Sequence, residues 1–171
     1  AAPPPGGETE EPLALITGGD FERGPGPRPR RDPKEDYFAT ITGHVRLARR
    51  LKVVVDAGNG IAGVFAPELL RRLGCEVVEL YCESDGTFPN HLPDPEMEEN
   101  MRDLVARVLE ERADVGLAYD GDADRVGIVD EKGRRHEADL LLALLGRDLL
   151  SRHPGAKIVF DVKSSQGLGG E

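Results

Sequence analysis

The chain of 171 residues carries 32 acidic and 22 basic residues, which gives a formal net charge of −10. This acidic balance argues against a nucleic-acid or anionic-membrane surface, because phosphate groups bind cationic faces. No stretch of the sequence approaches the roughly 20 apolar residues that a membrane span requires. We therefore expect no nucleic-acid or membrane partner, and the length suits one α/β domain with tails.

The N-terminal segment, residues 1–36, is rich in proline and glycine. Residues 1–33 alone hold 8 of the 13 prolines and 6 of the 21 glycines. Such a composition buries too little apolar area to offset the entropy lost on ordering the chain. We therefore expect residues 1–36 to be flexible, with one isolated strand at 13–17.

From residue 37 onward, apolar periodicity predicts alternating helices and strands. The predicted strands are 51–55, 77–81, 115–119, 126–129, 134–137 and 157–162. The predicted helices are 37–50, one that follows the turn 56–60 and ends near Gly74, one that begins at Asp94 and Pro95, and an apolar helix 140–150 that should be buried. This alternation, with a hairpin at 126–137, predicts a layered α/β domain with some antiparallel character.

We interpret the methionines and cysteines as structural residues and not as ligands of a metal or cofactor. Met97 and Met101 lie on the apolar stripe of the helix after Asp94 and are predicted core residues. Cys75 and Cys82 flank a predicted strand and lie too far apart in extended chain for a disulfide. We expect free thiols and a reducing, cytoplasmic location.

The strongest chemical signal is the loop 120–125, Asp-Gly-Asp-Ala-Asp-Arg, which directly follows the predicted strand 115–119. Ligand sites of α/β domains lie at the carboxyl ends of strands. The alternate carboxylates Asp120, Asp122 and Asp124 can converge on one point, where their repulsion requires a cation. Oxygen ligands and a site completed by phosphate favour Mg²⁺, and Arg125 can then meet a phosphate oxygen.

Two alternatives for this loop compete with a magnesium site. The simpler one is an acidic loop without any ligand. The more specific one is a Ca²⁺-binding EF-hand, whose acidic positions fit Asp120, Asp122, Asp124 and Glu131. However, Arg125 stands where the EF-hand turn requires Gly, and the flanking segments predict strands instead of helices.

The turn 56–60, Asp-Ala-Gly-Asn-Gly, also has two interpretations. Its backbone N–H groups could cradle an anion at the start of the following helix. Alternatively, its glycines serve a tight turn and close packing of helix on strand, which we favour.

Four motifs in order resemble the α-D-phosphohexomutase family. The loop 120–125 is similar to the family's metal-binding loop, usually DGDGDR. Residues 53–63 resemble the opening of the family's second domain, and 86–95 its GxFPNHxPDP loop. Residues 160–163 resemble the crossover into the third domain. The resemblance covers about residues 37–165, most of the chain.

The resemblance implies a three-layer α/β/α domain with a mixed, mainly parallel sheet, as in the family's domain II. Residues 37–163 would form this domain, 1–36 the end of domain I, and 164–171 a truncated crossover to domain III. Ala123 departs from the family's usual glycine, but the change removes no ligand.

The resemblance also implies site roles. Asp120, Asp122 and Asp124 would hold Mg²⁺, with a phosphoserine from domain I as the fourth protein ligand and Arg125 in contact with it. The reaction would move a phosphoryl group between that serine and a hexose phosphate through a bisphosphate. Lys163 would lie near the sugar phosphate, and His91 is a candidate proton-transfer and substrate-binding group. The alternatives are a solvated lysine, and a loop histidine that orders Asp94 or a backbone carbonyl.

Other expected elements of the family are absent from the sequence. No TASHNP-like phosphoserine loop and no GEMSGH-like sugar-binding loop occurs, so we identify no catalytic residue in this chain. We expect a fragment of a phosphomannomutase or phosphoglucomutase that is inactive alone. The alternatives are a non-catalytic divalent-metal-binding interaction module and a metal-dependent phosphatase, which would need a DxDx[TV] motif.

Overall fold

The computed structural model describes residues 14, 16–19, 31–160 and 164. The chain divides into two compact units, residues 1–33 and 34–171. In the first unit, Ala14, Ile16 and Thr17 are helical, so the prediction of a strand there is wrong. The Thr17 hydroxyl donates to the Ala14 carbonyl at 3.2 Å, a bond between residues three apart that a helical turn allows.

The second unit is built on a mixed five-stranded sheet flanked by helices. Strands β1 to β5 are Lys52–Asp56, Glu76–Leu80, Val115–Tyr119, Val126–Asp130 and Arg135–His136. Helices α1 to α4 are Lys34–His44, Ala62–Arg72, Arg102–Glu111 and Ala138–Arg152, and a 3₁₀ helix, Glu98–Met101, precedes α3.

The strand order is β2-β1-β3-β4-β5. Strand β1 pairs in parallel with β2 and β3, whereas β4 is antiparallel to both β3 and β5. Strand β5 therefore runs in the direction of β1 to β3, and only β4 is reversed among the strands of the described residues. The predicted mixed, mainly parallel sheet is confirmed.

Helices cover both faces of the sheet because its central strand is apolar on both sides. Val54 packs with Leu104 and Val108 of α3 on one face. Val53 and Val55, which point to the opposite face, pack with residues of α2. A continuous apolar run of this kind is typical of a parallel strand buried between two layers. The three-layer α/β/α architecture is thus confirmed.

The order β2-β1-β3 creates a switch point between β1 and β3. Strand β1 leads through α2 to β2 on one side, and β2 leads back through α3 to β3 on the other side of β1. Helices α2 and α3 lie on opposite faces of the sheet. The loops that follow β1 and β3 therefore meet above the carboxyl ends of these two strands, where ligands of such sheets bind.

The segment around Asp94 differs from the prediction. Instead of capping a helix, the Asp94 carboxylate accepts from the Glu96 N–H at 3.1 Å within a turn, and α3 begins only at Arg102. This shift leaves Met97 half exposed and places Met101 in the core. Met97 is therefore not the core residue that the spacing predicted. Helix α1 also differs, since it begins three residues earlier than predicted and ends at His44.

Helix α4 has the predicted position, but it is not buried. Leu140, Leu144 and Leu145 are all more than half exposed, and a cavity of about 540 Å³ separates the helix from Ile128 of β4. The physical reason is that β5 has only two residues and ends the sheet before it can cover the helix.

The described part of the predicted strand 157–162 is not a strand. Residues 157–160 lie outside the sheet, and 161–162 lie outside the described residues. Among the described residues, no helix combines the length and apolarity needed to cross a bilayer.

Two helical glycines test the close packing of α2. A Cβ at Gly63 would collide with the backbone carbonyl of Cys82, whereas a Cβ at Gly43 in α1 would meet nothing within 4 Å. Gly63→Ala should therefore lower the free energy of unfolding by about 2 kcal/mol or more, because backbone must move. Gly43→Ala should raise it by about 0.5 kcal/mol, because alanine favours the helix. Urea unfolding measures both free energies. An unchanged free energy of unfolding in Gly63→Ala would contradict this packing.

Candidate metal centre

Three aspartates converge in the turn between β3 and β4. One carboxylate oxygen each from Asp120, Asp122 and Asp124 can be chosen so that all lie within 4.8 Å of one another. Oxygen ligands of one Mg²⁺ lie about 2.0–2.1 Å from the ion, hence about 3 to 4 Å from each other. Asp120 is buried and the other two are exposed, so small rotations of the exposed side chains would suffice. The donor set fits a hard divalent cation.

Backbone contacts shape this turn. The N–H of Ala123 donates to the Asp120 carbonyl at 3.2 Å, and the N–H of Arg125 donates to the Asp120 carboxylate at 3.0 Å. Ala123 adopts a left-handed conformation with φ of 65°. The turn joins two strands, so the EF-hand alternative, which needs flanking helices, does not hold.

Arg125 is the counter-ion of the acidic cluster. Its Nε lies 2.9 Å from Asp120, and its Nη1 lies 3.1 Å from Asp94 and 3.3 Å from Glu96. These carboxylates raise the pKa of Arg125, so the guanidinium stays charged. Arg125 thus joins the 120–125 loop to the segment that contains Asp94.

The carboxylates of the loop have opposite pKa shifts. Burial alone would raise the pKa of Asp120, but donation from the Arg125 N–H and guanidinium holds it below its ordinary value. The pKa of Asp124 is raised, because its carboxyl hydrogen-bonds with Asp120 and lies near the negative charge of Asp122. Arg125 therefore offsets only part of the charge, and a cation would stabilise the remainder.

The turn 56–60 after β1 packs directly against the acidic loop. The N–H of Ile61 donates to the Gly121 carbonyl at 3.1 Å. A Cβ at Gly60 would lie 2.8 Å from the same oxygen, so only glycine permits this approach. This contact supports the close-packing interpretation of the glycines in 56–60.

A third segment, residues 88–96, lies over both loops. A Cβ added at Gly58 or Gly121 would meet Pro93, and one added at Gly127 in β4 would meet Pro95. The sequence analysis missed Asp94 and Glu96 as partners of Arg125, because Asp94 followed by proline is typical of a helix start.

Of the other two predicted site residues, the structure describes only His91. His91 is mostly buried, with Nε2 at 3.1 Å from Asp56 and Nδ1 at 2.8 Å from the Leu92 carbonyl. Lys163 lies outside the described residues. The structure therefore brings together Asp120, Asp122, Asp124 and Arg125, and their roles, like those of His91 and Lys163, remain predictions.

The backbone around the centre is strained. Asn59, Tyr81, Phe88 and Ala123 all have positive φ although none is glycine. All four follow strand ends or lie in the segment that covers them. Such conformations cost energy and concentrate at functional sites, where the surrounding packing enforces them.

Fold and site together define a three-layer α/β domain with an acidic ligand cluster at a switch point. Residues 35–133 match the family described as phosphoglucomutase/phosphomannomutase, alpha/beta/alpha domain II. The chain belongs to this family.

Individual relatives agree with this assignment. A phosphomannomutase/phosphoglucomutase of Pseudomonas putida is 58% identical over 132 residues, which are 77% of this chain and 28% of that protein. A phosphoglucomutase of Neisseria meningitidis is 49% identical over 138 residues, 81% of this chain and 30% of that protein.

A solved structure shows the same architecture. The crystal structure of a phosphoglucomutase/phosphomannomutase family protein from Burkholderia thailandensis superposes with a TM-score of 0.87 and 43% identity, over 95% of this chain and 36% of that one. This chain therefore spans about a third of the length of the proteins it matches.

The left-handed conformation of Ala123 predicts that glycine at this position would stabilise the fold. Ala123→Gly should raise the free energy of unfolding by about 1 kcal/mol, because glycine adopts positive φ without a clash of Cβ. The matched control is Ala106→Gly, an exposed position inside α3, where glycine should cost about 1 kcal/mol. Urea unfolding compares the two, and a destabilised Ala123→Gly variant would show that this loop is not strained.

Proposed function

We propose that this chain is the metal-binding domain of a phosphomannomutase/phosphoglucomutase, an isomerase of carbohydrate metabolism that interconverts hexose 1-phosphates and hexose 6-phosphates. The observation that carries the proposal is the convergence of Asp120, Asp122 and Asp124 beside Arg125 in the family's domain II. The hexose phosphate would be bound largely by the parts of the enzyme that correspond to the remaining length of the relatives.

In this proposal the three aspartates hold Mg²⁺, and a phosphoserine from another segment supplies the fourth protein ligand. When bound, the ion would offset negative charge on the transferring phosphoryl group. Asp120 is the buried ligand, which Arg125 orients through two hydrogen bonds. Asp122 and Asp124 are exposed and can adjust to the ion.

Arg125 would contact the phosphoserine. Within the part of the chain that the structure describes, neighbouring carboxylates engage its Nε and Nη1, which leaves Nη2 for a phosphate oxygen. A guanidinium fork suits this task because it offers several donors in fixed directions. Arg125 would thus connect the acidic loop to the phosphorylated serine.

The proposed reaction follows the family pattern. The phosphoserine transfers its phosphoryl group to a hexose phosphate, and the bisphosphate reorients and returns its other phosphoryl group to the serine. Lys163 would contact the sugar phosphate. His91 was a candidate for substrate binding, but both of its ring nitrogens face protein oxygens, which favours a role in positioning.

Magnesium binding tests the ligand assignment. We expect the chain to bind Mg²⁺ weakly, with water in place of the phosphoserine, and Asp122→Asn to weaken binding about tenfold or more. Isothermal titration calorimetry measures both. The matched control is Asp148→Asn on α4, whose exposed carboxylate pairs with Arg152 and should not affect binding. Identical titrations for wild type and Asp122→Asn would remove the assignment.

Turnover tests the proposed dependence on other segments. We expect no conversion of mannose 1-phosphate or glucose 1-phosphate by this chain alone, because its sequence has no phosphoserine loop of the family type. A coupled assay for the 6-phosphate measures this. Appreciable turnover that Asp122→Asn abolishes would mean that the chain is a complete catalyst.

The second candidate function is a non-catalytic divalent-metal-binding interaction module. The observation in its favour is the exposed leucine-rich face of α4, formed by Leu140, Leu144 and Leu145, since apolar patches mark interaction sites. A longer protein that contains this chain and shows mutase activity would exclude this candidate.

A further inference from the structure

The segment 88–96 links the acidic loop to a second charged centre at the end of β1. At one end, Asp94 pairs with Arg125, which holds Asp120. At the other end, His91 pairs with Asp56, whose side chain is fully buried. Only two residues, Leu92 and Pro93, lie between His91 and Asp94 in the segment that carries both pairs.

Both ring nitrogens of His91 lie within hydrogen-bond distance of protein oxygens. Nδ1 lies 2.8 Å from the Leu92 carbonyl, and Nε2 lies 3.1 Å from the Asp56 carboxylate. The imidazole is therefore held between its own segment and the end of β1.

Burial makes this pairing necessary. The Asp56 carboxylate also accepts from the Gly58 N–H at 2.9 Å, and the ring of His91 meets the Tyr81 ring at 5.4 Å, edge to face. Burial raises the pKa of Asp56, although Gly58 and His91 oppose this shift. Without His91, the buried carboxylate would keep the Gly58 N–H but lose its side-chain partner, and breaking a buried pair by removing one partner is destabilising.

Pro93 packs between the segment that carries His91 and the acidic loop. Pro93, two residues after His91, would lie 2.8 Å from a Cβ at Gly58 and 3.5 Å from one at Gly121. Pro93 therefore fills the space between the turn after β1 and the turn after β3. Within four consecutive residues, His91 thus pairs with Asp56, Pro93 packs between the two turns, and Asp94 pairs with Arg125.

We propose that His91, paired with Asp56, is a positioning residue. It holds the segment 88–96 against the acidic loop and so sets the geometry of the metal ligands. It acts through Pro93 and through the Asp94–Arg125 pair, and it touches neither metal nor substrate. This inference rests on the proposed metal site.

The test is Mg²⁺ affinity of the full chain in matched variants, measured by calorimetry where all variants are folded. His91→Ala should raise the dissociation constant about tenfold, as loss of a group that orients metal ligands does. Asp56→Asn should stay within about twofold of wild type, because the Asn amide can donate to Nε2 of His91 and still accept from the Gly58 N–H. Asp56→Ala should raise the dissociation constant as His91→Ala does. The control His153→Ala, at an exposed position, should bind Mg²⁺ with wild-type affinity.

A second readout does not need the metal. In amide ¹H–¹⁵N NMR spectra without Mg²⁺, His91→Ala should shift the resonances of Gly121 and Arg125, and Asp56→Asn should shift them much less. His153→Ala should leave both unchanged. A lower stability of His91→Ala with unchanged loop resonances would mean that His91 is only structural, and would overturn the inference.

The outcomes separate this inference from the proposed function. If wild type binds Mg²⁺ and Asp122→Asn does not, but His91→Ala binds like wild type, the positioning role fails and the metal site stands. If wild type does not bind Mg²⁺, both fail. The inference is supported if Asp56→Asn binds Mg²⁺ with nearly wild-type affinity while His91→Ala and Asp56→Ala bind it more weakly.

Discussion

Repulsion among carboxylates above β1 and β3 is the constraint on which this domain depends. Asp120, Asp122 and Asp124 converge in one turn, and Asp94 reaches the same guanidinium from another segment. Asp120 is buried, whereas Asp122 and Asp124 are exposed, so the charge of Asp120 most needs a nearby cation. Arg125 supplies one positive charge from within the protein, and its ion pairs join the loops. A divalent ion supplies the remaining positive charge in the function that we propose.

The loops reach this arrangement through close backbone contacts. Glycines at 58 and 60 let the turn after β1 approach the segment 88–96 and the acidic loop without intervening side chains. Asn59, Phe88 and Ala123 in these loops adopt left-handed conformations. The strain persists because the buried sheet holds both ends of each loop. A rigid scaffold thus maintains a charged, strained site at its edge.

The helices show how the extent of the sheet decides burial. Helices α2 and α3 each lie over a sheet face and bury apolar side chains against Val53 to Val55. Helix α4 is just as apolar in sequence, but it follows a two-residue edge strand and keeps Leu140, Leu144 and Leu145 exposed. The exposed face is therefore a property of the sheet edge and not of the helix composition.

The sequence by itself determined strands β1 to β4 and the acidic loop, since apolar runs and alternate aspartates are local patterns. Strand β3 was predicted residue for residue, and β1 and β2 to within one residue. Only the tertiary structure decided that Asp94 binds Arg125, 31 residues away, and that His91 binds Asp56, 35 residues away. It also decided that Met97 and the leucines of α4 stay exposed. These features depend on which segments lie side by side, and periodicity along one segment carries no information about its distant neighbours.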